Sequence, residues 1–369
     1  MLPEFRAHAP VPLPLHLMQA AAASATLSNT SLDALDMMLQ GIERWRSADA
    51  PERPPPAPTL WSEGATELRD HGHGSGRPIL VLPSLINRAY VLDLTRERSF
   101  LAKLAGSGFR PLLLDWGVPG PQEKHLSLGD YADTRLRPAL AIARVLAGGP
   151  VPVMGYCMGG ALAAAAAARS TGDVRALVTL GTPWNCAEAS PWARVMQDAG
   201  RTQVETLRAS LRGAAQVFGL VPSDVMQGLF AALDPGLVLR KFQRFARMAT
   251  DTPEAAHFVA VEDWLNDPVP VAPRVAEEVL VDWHLKNRLA SGTWTLLGGR
   301  IDPAAIGCPT LSFCATSDLI APPANAESLP RAIPQARIIR PETGHVGMIV
   351  GRKVSRSTLD PIKKFLGEI

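Results

Sequence analysis

Val151-Pro-Val-Met-Gly-Tyr-Cys-Met-Gly-Gly-Ala-Leu162 is the stretch whose reading decides the fold. A short apolar segment with two valines runs into Gly155-Tyr156-Cys157-Met158-Gly159, and an alanine-rich run, Ala161 to Ala168, follows at once. That order is strand, sharp turn, helix, with a nucleophile-type side chain at the apex. A residue at such an apex sits in a strained backbone conformation, so its neighbours two positions away on either side must be small. Gly155 and Gly159 meet that requirement, and Gly160 adds room. The N-terminus of the following helix points free N–H groups and a positive dipole end at the sulfur, which favours a thiolate and makes the Met158 N–H an oxyanion donor. A buried small hydrophobe is the plainer reading of a lone cysteine, but it leaves the paired glycines unexplained.

Working outward, apolar runs recur, each closed by a turn or loop: Ile79–Leu82, Pro111–Leu114, Val151–Met154, Ala176–Leu180, Thr310–Cys314 and Arg337–Ile339. Helical stretches are expected at Arg98–Ser107, Leu128–Ala147 and Gly160–Ser170. Buried strands alternating with helices predict an α/β protein whose mostly parallel sheet is covered on both faces. The spacing predicts a helix within Leu15–Trp45, with Leu27, Leu32, Leu35, Met38, Leu39 and Ile42 on its apolar side. The proline-rich segment 50–58 then reads as a linker, and Thr59–Asp70 as a hairpin or irregular strand pair. The expected division is an N-terminal helical arm and linker (1–58), a first core part (59–184), a largely helical cap insertion carrying Trp192, Trp264, Trp283 and Trp294 (185–300), and a second core part (301–369). A separate helical domain unrelated to catalysis is the alternative for the insertion.

The 37 basic and 35 acidic residues nearly balance, so nothing points to nucleic acid. Four cysteines without CxxC spacing read as thiols of a reducing compartment. No apolar run approaches a membrane span. Val11–Ala25 faintly resembles a signal peptide, but Pro12, Pro14, His16 and Gln19 interrupt it and Glu4 offsets Arg6. A cytoplasmic protein is expected.

A thiol nucleophile needs a base, and the base needs an orienting acid. Asp318 follows the strand ending near Cys314, and His345 lies between glycines after the strand around Ile338. Asp115 also follows a strand and is the runner-up acid. It precedes Cys157, whereas the expected order is nucleophile, acid, histidine. His71 and His73 form an H-x-H in a glycine-rich loop, but no further ligand type lies near and a solvated loop is expected. His257 and His284 in the insertion, and His125 before a helix, read as structural. No metal or cofactor is expected. The loop after the Ile79–Leu82 strand is the expected source of a second oxyanion N–H, from Ile86 or Leu85.

Gly155-Tyr-Cys-Met-Gly resembles the nucleophile elbow of α/β-hydrolases with sulfur in place of oxygen. With the other segments, the chain resembles the polyhydroxyalkanoate (PHA) synthases from about Leu60 onward. The segments that carry the resemblance are Gly155-Tyr-Cys-Met-Gly-Gly160, Pro83-Ser-Leu-Ile-Asn-Arg-Ala-Tyr-Val-Leu-Asp-Leu94, Asp115-Trp-Gly-Val-Pro119, Glu262-Asp-Trp-Leu-Asn-Asp267, Asp318 and Gly344-His345. It implies an α/β-hydrolase fold and a Cys157–His345–Asp318 triad that polymerises (R)-3-hydroxyacyl-CoA through a Cys-linked thioester, with CoA released. It also implies a polymer granule surface and either a second synthase subunit or a homodimer as partners. The chain is nearer in length to the family's small catalytic subunits than to its long single-subunit members, and Leu85 stands where some members carry cysteine. A hydrolase of the same fold, acting as an intracellular PHA depolymerase or an acyl-CoA thioesterase or esterase, is the alternative. A non-catalytic granule protein is a third reading.

Overall fold

The computed structural model describes residues 32–188, 201–234 and 236–369. Eight strands form one sheet in the order β1-β2-β4-β3-β5-β6-β9-β10: β1 Thr59–Glu63, β2 Thr66–Asp70, β3 Arg77–Leu82, β4 Phe109–Asp115, β5 Val151–Tyr156, β6 Val174–Leu180, β9 Thr310–Phe313 and β10 Arg337–Ile339. From β4 to β10 every neighbour is parallel; β1 and β2 pair antiparallel at one edge. Each apolar run read from the sequence is a strand, and short runs of consecutive buried residues such as Ile79, Leu80, Val81 and Leu82 suit a sheet covered on both sides.

The helices are α1 Leu32–Ser47, α2 Phe100–Ala105, α3 Leu128–Tyr131, α4 Arg137–Ala147 and α5 Met158–Arg169. A π-helical segment, Ala132–Leu136, joins α3 to α4. The α5 helix lies deep in the core: every side from Met158 to Ala168 is buried, and its small alanines let it approach β5 and β6 closely. Ser99 and Ser127 cap α2 and α3 through their hydroxyls.

Between β6 and β9 the chain leaves the sheet. It forms α6 Arg201–Phe218, α7 Ser223–Leu233, α8 Leu237–Ala246, α9 Pro253–Leu265, α10 Pro273–Glu277, a π-helical segment Glu278–Leu285, and the two-residue strands β7 Thr295–Leu296 and β8 Gly299–Arg300. Trp192 and the 15–31 part of the expected N-terminal helix lie outside the described residues.

The α1 helix corrects the expected apolar face. Met38, Gly41, Ile42 and Trp45 are its buried side, while Leu32 and Leu39 are exposed. Its partner is α8, whose backbone approaches so closely that a Cβ on Gly41 would lie 2.1 Å from the Phe242 carbonyl oxygen. Arg44 donates to the carbonyls of Phe245 and Ala246 in the last turn of α8 and of Met248 and Ala249 just beyond it, satisfying groups a helix C-terminus leaves open. The counterpart decided the face, and it lies about 200 residues away in sequence.

Candidate active site

β5 ends at Tyr156, and Cys157 takes φ 56°, ψ −126° before α5 begins at Met158. Such a conformation costs about 1–3 kcal/mol for a non-glycine residue. The flanking glycines are what allow it. A Cβ on Gly155 would meet the Gly159 carbonyl oxygen at 2.3 Å, one on Gly159 the Leu82 oxygen at 2.1 Å, and one on Gly160 the Thr182 hydroxyl at 1.7 Å. The Cys157 N–H donates to the Leu180 carbonyl at 2.9 Å, which fixes the apex to the end of β6.

The loops after β9 and β10 leave the same edge of the sheet, tied together by the Ser317 N–H on the Thr343 carbonyl at 3.1 Å. They bring Asp318 and His345 into contact: His345 Nδ1 lies 2.7 Å from Asp318 Oδ2. The other carboxylate oxygen accepts from the N–H groups of Ile320 (2.8 Å) and Ala321 (2.9 Å). Since a carboxylate only accepts, Nδ1 carries the proton and Nε2 is left for another partner. The Cys157 side chain stands close enough to the imidazole to act on it electrostatically. Burial alone would push His345 down, but the Asp318 carboxylate and the Cys157 sulfur hold it up at about 10. All three side chains are buried.

Asp115 takes no part. It accepts from the Gly117 N–H at 3.0 Å and lies 3.8 Å from Arg69. His71 is half-buried and lies 3.5 Å from Asp93 rather than standing in a solvated loop. Among the described residues no three or more His, Cys, Asp or Glu side chains cluster as metal ligands, and no helix is long and apolar enough to cross a membrane. Of the two expected oxyanion donors, Met158 opens α5 and has no intrahelical acceptor. The Ile86 N–H is engaged by the Ser84 hydroxyl at 3.3 Å.

The insertion forms the roof. A cleft of about 250 Å³ reaches Cys157 and His345, with Arg88, Gln227, Leu237, Lys241 and Trp264 among its walls. The segment Glu262–Asp267 clasps this roof to the loop after β3: Trp264 Nε1 donates to the Arg88 carbonyl at 2.8 Å, and Asp267 pairs with Arg88 at 3.2 Å. Glu262 holds Lys241 at 2.6 Å. Trp116 of the Asp-Trp-Gly segment donates from Nε1 to the Pro83 carbonyl at 3.0 Å, steadying the start of that loop.

Several residues of the candidate site escaped the sequence. Tyr156 lays its ring 5.0 Å from that of His345, centroid to centroid. Gly181, at φ 55°, leaves the space that the His345 ring occupies. His284, expected to be structural, lines a second, inner chamber that also reaches Cys157. Tyr156 lies within the elbow stretch, but no motif marks its ring contact or singles out Gly181 and His284; what they touch does.

A parallel sheet with a nucleophile at a strand–helix elbow, and an acid and a histidine on later loops at the same edge, defines the α/β hydrolase class. Residues 77–352 match the family described as the alpha/beta hydrolase fold, and the chain belongs to that family. Within it, the chain is similar to the poly(3-hydroxyalkanoate) polymerase subunit PhaC of Haloferax mediterranei, 29% identical over 282 residues, or 75% of this chain and 56% of that one. It is also similar to the PhaC subunit of Allochromatium vinosum, 26% identical over 353 residues, or 93% of this chain and 97% of that one. The chain thus spans about half the length of the Haloferax relative and nearly all of the Allochromatium one. Among solved structures, an esterase from Thermogutta terrifontis shares the fold at 19% identity and TM-score 0.51, covering 84% of this chain and 98% of that one.

Proposed function

We propose that the protein is an acyltransferase that polymerises (R)-3-hydroxyacyl-CoA, with Cys157 as nucleophile, His345 as base and Asp318 as the residue orienting the imidazole. The observation that carries this reading is a buried cysteine, rather than serine, set against a histidine–carboxylate pair under a helical roof. A thiol exchanges readily with a thioester, so sulfur at this apex suits acyl-CoA better than an ordinary ester. The relatives named as polymerase subunits support the same reaction.

Cys157 gives its proton to His345 Nε2 in the resting thiolate–imidazolium pair, and the thiolate then attacks the thioester carbonyl. The Met158 N–H faces the developing oxyanion. The carbon–sulfur bond to CoA breaks, and CoA leaves with the proton from His345. The 3-hydroxyl of a second unit then gives its proton to His345 and attacks the acyl-cysteine. An ester forms, and the Cys157 thiolate is released beside the imidazolium. Water in place of that hydroxyl would end growth as free acid, which gives the roof a purpose. A second subunit, a second copy of the chain and a granule surface are the partners this reading carries with it.

Purified protein with 3-hydroxybutyryl-CoA tests the assignment by free CoA and product size. CoA release with polymer is expected, and Cys157→Ala should abolish both. Release with free hydroxy acid would make the protein a hydrolase. No release, with a partner subunit also supplied, would overturn acyl-CoA chemistry altogether.

A further inference from the structure

Two chambers meet at Cys157. The outer one carries polar side chains, Asn87, Arg88, Gln227, Asp234 and Lys241 among them. The inner one, about 80 Å³, is walled chiefly by Ile86, Met226, Phe230, Leu280 and Trp283. It offers the room of two to three water-sized groups at roughly 30 Å³ each. A short acyl group fits there, and the larger cleft, about 250 Å³, has the room for the longer thiol arm of an acyl-CoA.

Three side chains of the inner wall carry polar groups: Asn325, His284 and Trp283, whose buried indole N–H is a donor without a partner among the described residues. Asn325 is committed: its Oδ1 accepts from the Trp184 N–H at 2.7 Å. His284 is different. Its Nδ1 lies 2.8 Å from the Val279 carbonyl oxygen. A carbonyl cannot donate, so Nδ1 carries the proton. Burial lowers the pKa of the imidazole and keeps the ring neutral, though the Val279 bond opposes the shift. Nε2 is therefore an acceptor, and among the described residues no donor meets it. The ring belongs to the π-helical segment Glu278–Leu285, a rare geometry that recurs at functional sites.

We propose that His284 Nε2 accepts a hydrogen bond from the hydroxyl of a short hydroxyacyl group seated in the inner chamber. His284 is then the residue that distinguishes a 3-hydroxyacyl thioester from its plain acyl counterpart. The proposal rests on the acyl-transfer reading above and adds the part of the substrate that reading leaves unassigned. An otherwise apolar wall accepts a plain acyl group as readily as a hydroxylated one. A single fixed acceptor makes the difference, because an analogue without the hydroxyl leaves it unpaired.

The test is single-turnover loading of Cys157, read as CoA released, with (R)-3-hydroxybutyryl-CoA and with butyryl-CoA on the full chain. Wild type should load the hydroxylated substrate about tenfold faster, the scale of one net hydrogen bond. His284→Phe should lose that preference, its loading of 3-hydroxybutyryl-CoA falling to within about twofold of its own loading of butyryl-CoA. His284→Gln, which restores an acceptor, should recover part of it. Equal loading of the two substrates by wild type overturns the proposal and leaves acyl transfer standing. A parallel fall on both substrates in the Phe variant also overturns it, since that is a packing effect. If that variant does not fold, the wild-type ratio and the Gln variant decide. Loading of neither substrate by wild type overturns the acyl-transfer reading, and this proposal with it.

Discussion

At position 181 the backbone turns left-handed, and a Cβ there would lie 2.9 Å from both Cε1 and Nδ1 of His345. Gly181→Ala therefore does two separable things. Holding a non-glycine residue in that conformation costs stability, about 1–3 kcal/mol. The added methyl also displaces the imidazole from Asp318, and misplacement by about 1 Å costs roughly a hundredfold in rate. Chemical denaturation should show the modest loss, and CoA release the larger one. Near-native turnover would mean that the ring has slack at this edge. Cys157, Asp318 and His345 were readable because glycines, strand ends and chain order mark them. Gly181 and His284 were not, because their constraints come from side chains distant in sequence.

The segment Glu262–Asp267 stood out in the sequence only as a family-like stretch, and its work is visible only in contacts between elements. Trp264 joins α9 to the carbonyl of Arg88, and Asn266 turns back to bond the Glu262 carbonyl at 2.7 Å. Trp264→Phe keeps an aromatic ring at the same place but leaves the Arg88 carbonyl without this donor. The expected cost is about 1–3 kcal/mol, with a fall in CoA release because the loop carrying Ile86 and Asn87 loses its anchor to the roof. A thermal scan and the same assay check both, and unchanged values would mean the Arg88–Asp267 pair suffices. The corrected α1 face belongs to this scale too. Helical spacing admits more than one apolar stripe, and close packing on α8 selected the one through Gly41. A glycine does not register as apolar in such a pattern, yet here it is the point of closest approach.

Across the whole molecule, one carboxylate braces the part of the chain that carries Asp318 and His345. Glu327 lies beyond the Asp318 loop and pairs with Arg340, next after β10, at 2.7 Å and with Arg331 at 2.6 Å. The hydrogen bond from Arg340 leads the causes that hold this carboxyl at about 2, against an ordinary 4.5. The unfolded chain then binds more protons than the folded one between those values, so stability rises with pH across that window. The contribution is complete above about pH 4.5 and lost as pH falls through about 2. Glu327→Gln should lower the midpoint of thermal unfolding at pH 7, and the gap from wild type should close toward pH 2. A gap constant with pH would assign the effect to packing instead. The strand order's raw material, the elbow and the candidacy of Cys157, Asp318 and His345 came from the sequence alone. Periodicity, glycine spacing and chain order are local or topological properties that a linear string carries. Only the tertiary structure decided which face of α1 is buried, that Ile86 bonds Ser84, that Gly181 makes room for His345, and that His284 faces an apolar chamber. Those outcomes depend on distances between segments far apart in the chain, and close packing fixes such distances only once the whole fold has formed.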